Sequence, residues 1–241
     1  MKPLYSSSLP PKTKQKFWDL KLPHEPVTRV SPSGIDTYLK NPLEFLLTRV
    51  IGIDQMDSDR KYEYDALQFG NICHEVLECF GKSDVAHSAD EELIYAFLEA
   101  KISSRFATSG VLPSLQKATM LARMRRFAHW QAESRAEGWQ ISVCEKNPRK
   151  TVNGVEISGC LDRLDYHPEL NAWRIIDYKT WDKYDGNQPW SLCKGVLKRV
   201  KSLQLPLYRT LSECENAEIG YLLLTDNPNE QLWHRLEVSP E

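Results

Sequence analysis

The stretch Leu161–Thr180, LDRLDYHPELNAWRIIDYKT, constrains this chain more than any other part of it. Two runs rich in branched residues flank the turn sequence Pro168-Glu169-Leu170-Asn171, which is the pattern of an antiparallel β-hairpin. Centring the turn between Glu169 and Leu170 sets Asp162 opposite Asp177, and Asp165 opposite Arg174. Successive side chains point to opposite faces of a strand, so Asp162, Asp177 and Lys179 gather on one face. The other face receives Asp165 and Arg174 as an ordinary cross-strand ion pair.

An acid and a base at the end of the apolar run Ile175-Ile176 are costly to bury unless they pair or bind something. Two close carboxylates raise each other's pKa unless a cation lies between them. Hard oxygen donors at a sheet edge suit Mg²⁺ or Mn²⁺. A lysine beside such an ion can hold or deprotonate a water, while the ion stabilises charge on a phosphoryl oxygen. The hairpin therefore points to metal-assisted phosphodiester hydrolysis. The plainer alternative, a strand-end ion pair between Asp177 and Lys179, stands beside it.

Around the hairpin, residues 1–30 carry Pro3, Pro10, Pro11, Pro23 and Pro26 among lysines and serines and read as a flexible linker or tail. Residues 31–241 read as one domain, helical over about 31–138 and sheet-forming over about 139–238. Ser31-Pro32 starts a helix that Asn41-Pro42 interrupts; apolar residues then recur at helical spacing as far as Gly52. Further helices are predicted over 66–80, from a capping box Ser88…Glu91, and over 114–138. Strands follow at 139–146, 155–166 and 172–179, then a helix over about 198–213, then strands at 218–225 and 231–238. The order implies an α/β fold: a central mixed β-sheet flanked by helices, with an N-terminal helical segment.

Composition removes several function classes. Lys+Arg 31 against Asp+Glu 33 gives a net charge of −2, so any polyanion must be bound by local patches. Six cysteines without a C-x-x-C pair argue against a zinc or disulfide framework and for reduced thiols. No apolar run is long enough to span a membrane and the first residues lack a secretory core, so a cytoplasmic protein without a membrane partner is expected.

Four motifs in order resemble the PD-(D/E)XK nucleases, in particular their RecB/AddB-type branch. SPSGIDTYLKNPLEFLL, residues 31–47, is similar to the opening segment of AddB-type nuclease domains. Gly70 and His74 in FGNICHEVLECF match a G-x-x-x-H helix. Gly159, Asp162 and Arg163 match a G-x-x-D-R strand that precedes a D-Y-K strand, Asp177-Tyr178-Lys179. Gln204 and Tyr208 match a Q-x-x-x-Y helix.

The resemblance implies a restriction-endonuclease-like core and a Mg²⁺- or Mn²⁺-dependent deoxyribonuclease, an exonuclease before an endonuclease. Its expected substrate is single-stranded DNA or DNA ends, in recombination or repair, as the C-terminal domain of a helicase–nuclease or with a helicase subunit. It implies His74, Asp162, Asp177 and the Tyr178 carbonyl as metal ligands, and Lys179 as the group that positions water. Gln204 and Tyr208 would orient the site or touch DNA, and Glu145 would be an outer acid. Many members of the branch carry an iron–sulfur cluster held by four cysteines; here the first position is Asn41, and only Cys214 follows Tyr208, so no cluster is expected. For DNA, Lys194, Lys198, Arg199 and Lys201 form an acid-free patch, and Arg123, Arg125, Arg126 and Trp130 a second. Alternatives remain at this level: His74 as a satisfied core histidine or a partner of Glu78, and a catalytically inactive module that kept the nuclease fold for binding or scaffolding.

Overall fold

The hairpin forms in the expected register. The computed structural model describes residues 26–53, 64–106, 111–186, 190–193, 196–200 and 202–237. Its elements are β1 (Arg29–Val30), α1 (Pro32–Lys40), α2 (Pro42–Phe45) continued by a π-turn, α3 (Ala66–Gly81), α4 (Glu91–Arg105) and α5 (Val111–Ala136). There follow β2 (Gln140–Lys146), β3 (Arg149–Val152), β4 (Val155–Ser158), β5 (Leu161–His167), β6 (Ala172–Lys179), β7 (Trp190–Cys193) and β8 (Val196–Val200). α6 (Gln204–Leu211), β9 (Glu218–Leu223) and β10 (Trp233–Leu236) complete the order. The expected linker lies outside the described residues over 1–25.

The central sheet has the strand order β10-β9-β6-β5-β2. β5 and β6 are antiparallel, with Arg163 opposite Ile176 and Asp165 opposite Arg174. β6 and β9 are parallel, which requires a crossover, and α6 lies in it. One face of the sheet presents Ile176, Tyr178, Leu222 and Leu224 to helices α3, α4 and α5. From α3 it meets Cys73, Val76, Leu77 and Phe80, whose spacing of three and four residues makes one stripe. The opposite face packs Leu161, Leu164, Ile175, Ile219 and Leu223 on Leu205, Tyr208 and Leu211 of α6. Each long helix therefore has a reason to lie where it does. No helix among the described residues is long and apolar enough to cross a membrane.

Several boundaries differ from expectation, each for a local reason. α4 is capped by Asp90, which accepts from the Glu92 and Leu93 N–H groups; Ser88 accepts instead from Asp90 N–H. The predicted strand 155–166 is two strands, belonging to different sheets, broken at Gly159-Cys160. A Cβ on Gly159 would stand 2.8 Å from Pro32 Cδ and 3.2 Å from Tyr208 Oη, because α1 and α6 both press on the chain there. β3 goes beyond the predicted strands; it pairs with β4 across Asn153-Gly154, whose φ values of 49° and 83° suit the tight hairpin turn that favours this dipeptide. The predicted helix 198–213 begins only at Gln204, and residues 196–200 are strand. Pro206 then falls in the first turn of α6, where a missing N–H costs nothing.

The expected Asp165–Arg174 cross-strand pair forms, within a larger buried network. Asp165 is fully buried and accepts from Arg163 Nε at 2.6 Å, Arg163 Nη2 at 2.8 Å and Arg174 Nη2 at 2.7 Å. Gln131 and Ser134 of α5 accept one further bond from each arginine. Two guanidinium groups thus share one carboxylate. Indole faces take up the excess charge: Arg174 Cζ lies 4.3 Å from the ring centre of Trp139, 5.1 Å from Trp130 and 5.4 Å from Trp233.

Candidate active site

At the far end of the hairpin from its turn, the chain gathers its ionisable groups. Asp162 sits on β5 and uses both carboxylate oxygens. Oδ2 accepts from the Tyr178 backbone N–H at 2.8 Å, and Oδ1 lies 3.4 Å from His74 Nδ1. His74 is carried there by α3, its ring edge-on to Tyr178 with centroids 5.8 Å apart. Burial works to lower the His74 pKa, but the hydrogen bond and charge of Asp162, with the charge of Asp177, outweigh it and hold the pKa above the usual value.

Asp177 is only 2% exposed. Burial pushes its carboxyl up to about 6, against the pull of Lys179 and with the help of the Asp162 charge. Lys179 Nζ stands 2.5 Å from Asp177 Oδ2, a close ion pair at the buried end of the strand. The ammonium in turn is held protonated: its burial is outweighed by Asp177, Asp162 and Asp36.

Glu145 joins this end from β2. It adopts φ 53°, a left-handed conformation uncommon for a residue with a side chain, and Cys160 Sγ donates to its Oε2 at 2.5 Å. Burial and the Glu145 carboxylate push the Cys160 thiol up to about 12, so it remains a donor. His74, Glu145 and Asp162 each offer one ligand atom, and these atoms all lie within 4.8 Å of one another. One imidazole and two carboxylates, beside the buried Asp177 carboxylate, are a donor set suited to a divalent cation.

A model of the PD-(D/E)XK nuclease superfamily matches residues 29–239. The chain belongs to this superfamily. Its mixed sheet between helical layers is the restriction-endonuclease-like core, and a nuclease-type function goes with the family. Curated relatives are distant. The chain is 28% identical over 193 residues to an uncharacterized protein of Rickettsia conorii, covering 75% of this chain and 21% of that one. It is 21% identical over 171 residues to a subunit of the ATP-dependent helicase/deoxyribonuclease of Streptococcus agalactiae, covering 66% of this chain and 15% of that relative. The chain spans about a fifth or less of the length of these relatives.

Within this PD-(D/E)XK frame, the expected site residues divide. His74, Asp162, Asp177, Tyr178 and Lys179 converge, and Glu145 stands beside His74 and Asp162. Asp177 is engaged by Lys179. Tyr178 contributes its N–H to Asp162 and buries its ring. Gln204 lines the groove that also holds Lys179, and its Nε2 donates to Tyr208 Oη at 3.5 Å. Burial pushes the Tyr208 phenol up to about 12, with Asp177 and Asp162 adding to it. Glu78 pairs with Lys82 rather than with His74.

The cationic stretches fare differently. Lys194 and Lys201 lie outside the described residues, while Lys198 and Arg199 fall on β8. Arg126 spends its guanidinium on the carbonyls of Thr225 at 3.0 Å and Glu230 at 2.6 Å. Arg123 donates to Thr180 O, Arg125 forks onto Glu92, and Trp130 packs on Arg163 and Arg174. Arg123 and Arg126 thus spend their donors on the loops beside the sheet, while the partly exposed Arg125 pairs with Glu92.

Sequence reasoning missed Asp36. From α1 this buried carboxylate accepts from Leu203 N–H and Ser202 Oγ, both at 2.6 Å, and so caps the start of α6. The opening segment thereby sets where Gln204 and Tyr208 stand. An aspartate in the middle of a predicted helix gave no local sign of a partner 167 residues away.

Proposed function

We propose that the chain is a divalent-metal-dependent deoxyribonuclease domain that hydrolyses phosphodiester bonds in single-stranded DNA or at DNA ends. The observation that carries this reading is the buried Asp177–Lys179 pair set beside the His74, Glu145 and Asp162 cluster. His74, Glu145, Asp162 and Asp177 would hold Mg²⁺ or Mn²⁺. When bound, such an ion neutralises charge on the phosphoryl oxygens and acidifies a water.

The chain's own groups do the rest. Asp162 is fixed by the Tyr178 N–H, and Lys179, kept protonated by its acidic neighbours, orients the attacking water. Gln204 and Tyr208, one helical turn apart, orient the DNA strand from the α6 side. The similarity to a helicase/deoxyribonuclease subunit of Streptococcus agalactiae supports DNA as substrate and a helicase domain or subunit as partner.

The test uses end-labelled single-stranded DNA with Mg²⁺ or Mn²⁺. Wild-type protein should degrade it from an end, EDTA should stop this, and Asp177→Asn or Lys179→Ala should lower the rate at least roughly 100-fold. Cleavage that survives in both variants, or never appears in the wild type, refutes the assignment. Cutting of circular single-stranded DNA would make the enzyme an endonuclease.

A further inference from the structure

We propose that Trp181 is the base-stacking residue through which this site takes an unpaired DNA strand. The inference rests on the nuclease reading above and names the residue that selects the strand. Trp181 lies two residues beyond Lys179, and its ring is 45% exposed although Tyr221 behind it is buried. Lys179 Nζ stands 5.8 Å from the ring centre, so the indole borders the reacting end of the site directly. The ring is backed by Tyr221 at 5.5 Å, and the row continues through Tyr184 at 6.2 Å to His234 at 4.5 Å. A backed aromatic keeps its orientation when it meets a ligand, so little freedom is lost on stacking.

Trp181, Tyr221 and Tyr184 of this row line a groove of about 640 Å³ that runs off Lys179. Lys40 and Lys183, both exposed, stand on its lips. Two carboxylates share the lining: Asp36, whose oxygens accept from Ser202 and Leu203 and whose charge faces the Lys179 ammonium, and the exposed Asp185. Lysines on the lips with an aromatic between them match a single strand, whose phosphates lie outward and whose bases are open to stack. Bases in a duplex are covered on both faces by their neighbours, and an indole has no face to meet. The groove therefore favours one unpaired strand, with a base on Trp181 next to the phosphate that faces Lys179.

The test separates binding from cutting. Binding of fluorescent oligo(dT) and of a duplex of equal length is measured by anisotropy in EDTA, for the wild type, Trp181→Ala and Trp181→Phe, with melting temperatures confirming that each is folded. Loss of one stacked base should weaken oligo(dT) binding roughly 5- to 100-fold in Trp181→Ala. Trp181→Phe should keep most of the affinity, and duplex binding should stay the same in all three. Wild-type-like oligo(dT) binding by Trp181→Ala, an equal loss on duplex and single strand, or no wild-type binding overturns the proposal. Cleavage of labelled DNA by the wild type is scored in parallel. If stacking depends on Trp181 but nothing is ever cut, the nuclease reading falls and this one stands; intact cutting without a Trp181 effect has the reverse meaning.

Discussion

Replacing Asp165 by asparagine tests what holds the hairpin in register. The substitution keeps the volume but removes the carboxylate that two buried guanidinium groups share, and turns an amide N–H₂ towards them. Three charge-assisted bonds of 2.6–2.8 Å are weakened or lost. Breaking a buried ion pair from one side costs about 3–5 kcal/mol, a large part of a typical domain's 5–15 kcal/mol or so. For a chain of this size that corresponds to a melting temperature lower by roughly 6–20 °C. Circular dichroism melts and urea titrations of wild type and Asp165→Asn read the difference directly. A triple variant, Arg163→Met with Asp165→Leu and Arg174→Met, should recover most of the loss, because well-packed apolar groups no longer leave a charge stranded. A loss below about 1 kcal/mol in Asp165→Asn, or no recovery in the triple variant, would refute the claim that these groups are out of reach of water.

Three further outcomes follow from the same contacts. Asp36→Ala removes the cap of α6 and should cost about 1–2 kcal/mol in a urea titration, with nuclease activity falling further than that loss explains; a wild-type midpoint would contradict it. Glu145→Gln should weaken Mn²⁺ binding by calorimetry roughly tenfold or more, and unchanged affinity would remove Glu145 from the ligand set. Gly159→Ala forces a methyl against Pro32 and Tyr208 and should cost about 1–3 kcal/mol in thermal stability; an unaltered melting temperature would show that α1 and α6 can yield.

The parts of the fold that sequence made legible are those decided by near neighbours. Alternation, turn residues and caps placed β6 at its true bounds, started α1 at Ser31, and set Asp165 opposite Arg174. What escaped was decided by distant packing. Residues 155–166 read as one strand because nothing in them announces that α1 and α6 converge on Gly159. The helix expected over 198–213 begins at Gln204, and its cap comes from Asp36 on a different helix. At the site, the D-x-K triplet and its facing acid were readable, and Glu145 was expected as an outer acid; the structure sets it, with a left-handed backbone in β2, within ligand reach of His74 and Asp162. Arg126 and Trp130 resembled a nucleic-acid patch because sequence shows charge and aromaticity but not which face of a helix is inward.

The peptide N–H that grips one oxygen of Asp162 has a consequence for how the site meets a cation. A carboxylate anchored to the main chain has already surrendered its rotational freedom during folding, so its second oxygen is aimed before any guest arrives. Affinity then reflects charge and fit with little rearrangement, and the ion-free and ion-loaded proteins should superimpose at Asp162 while Lys179, a long side chain on four single bonds, is the part that adjusts.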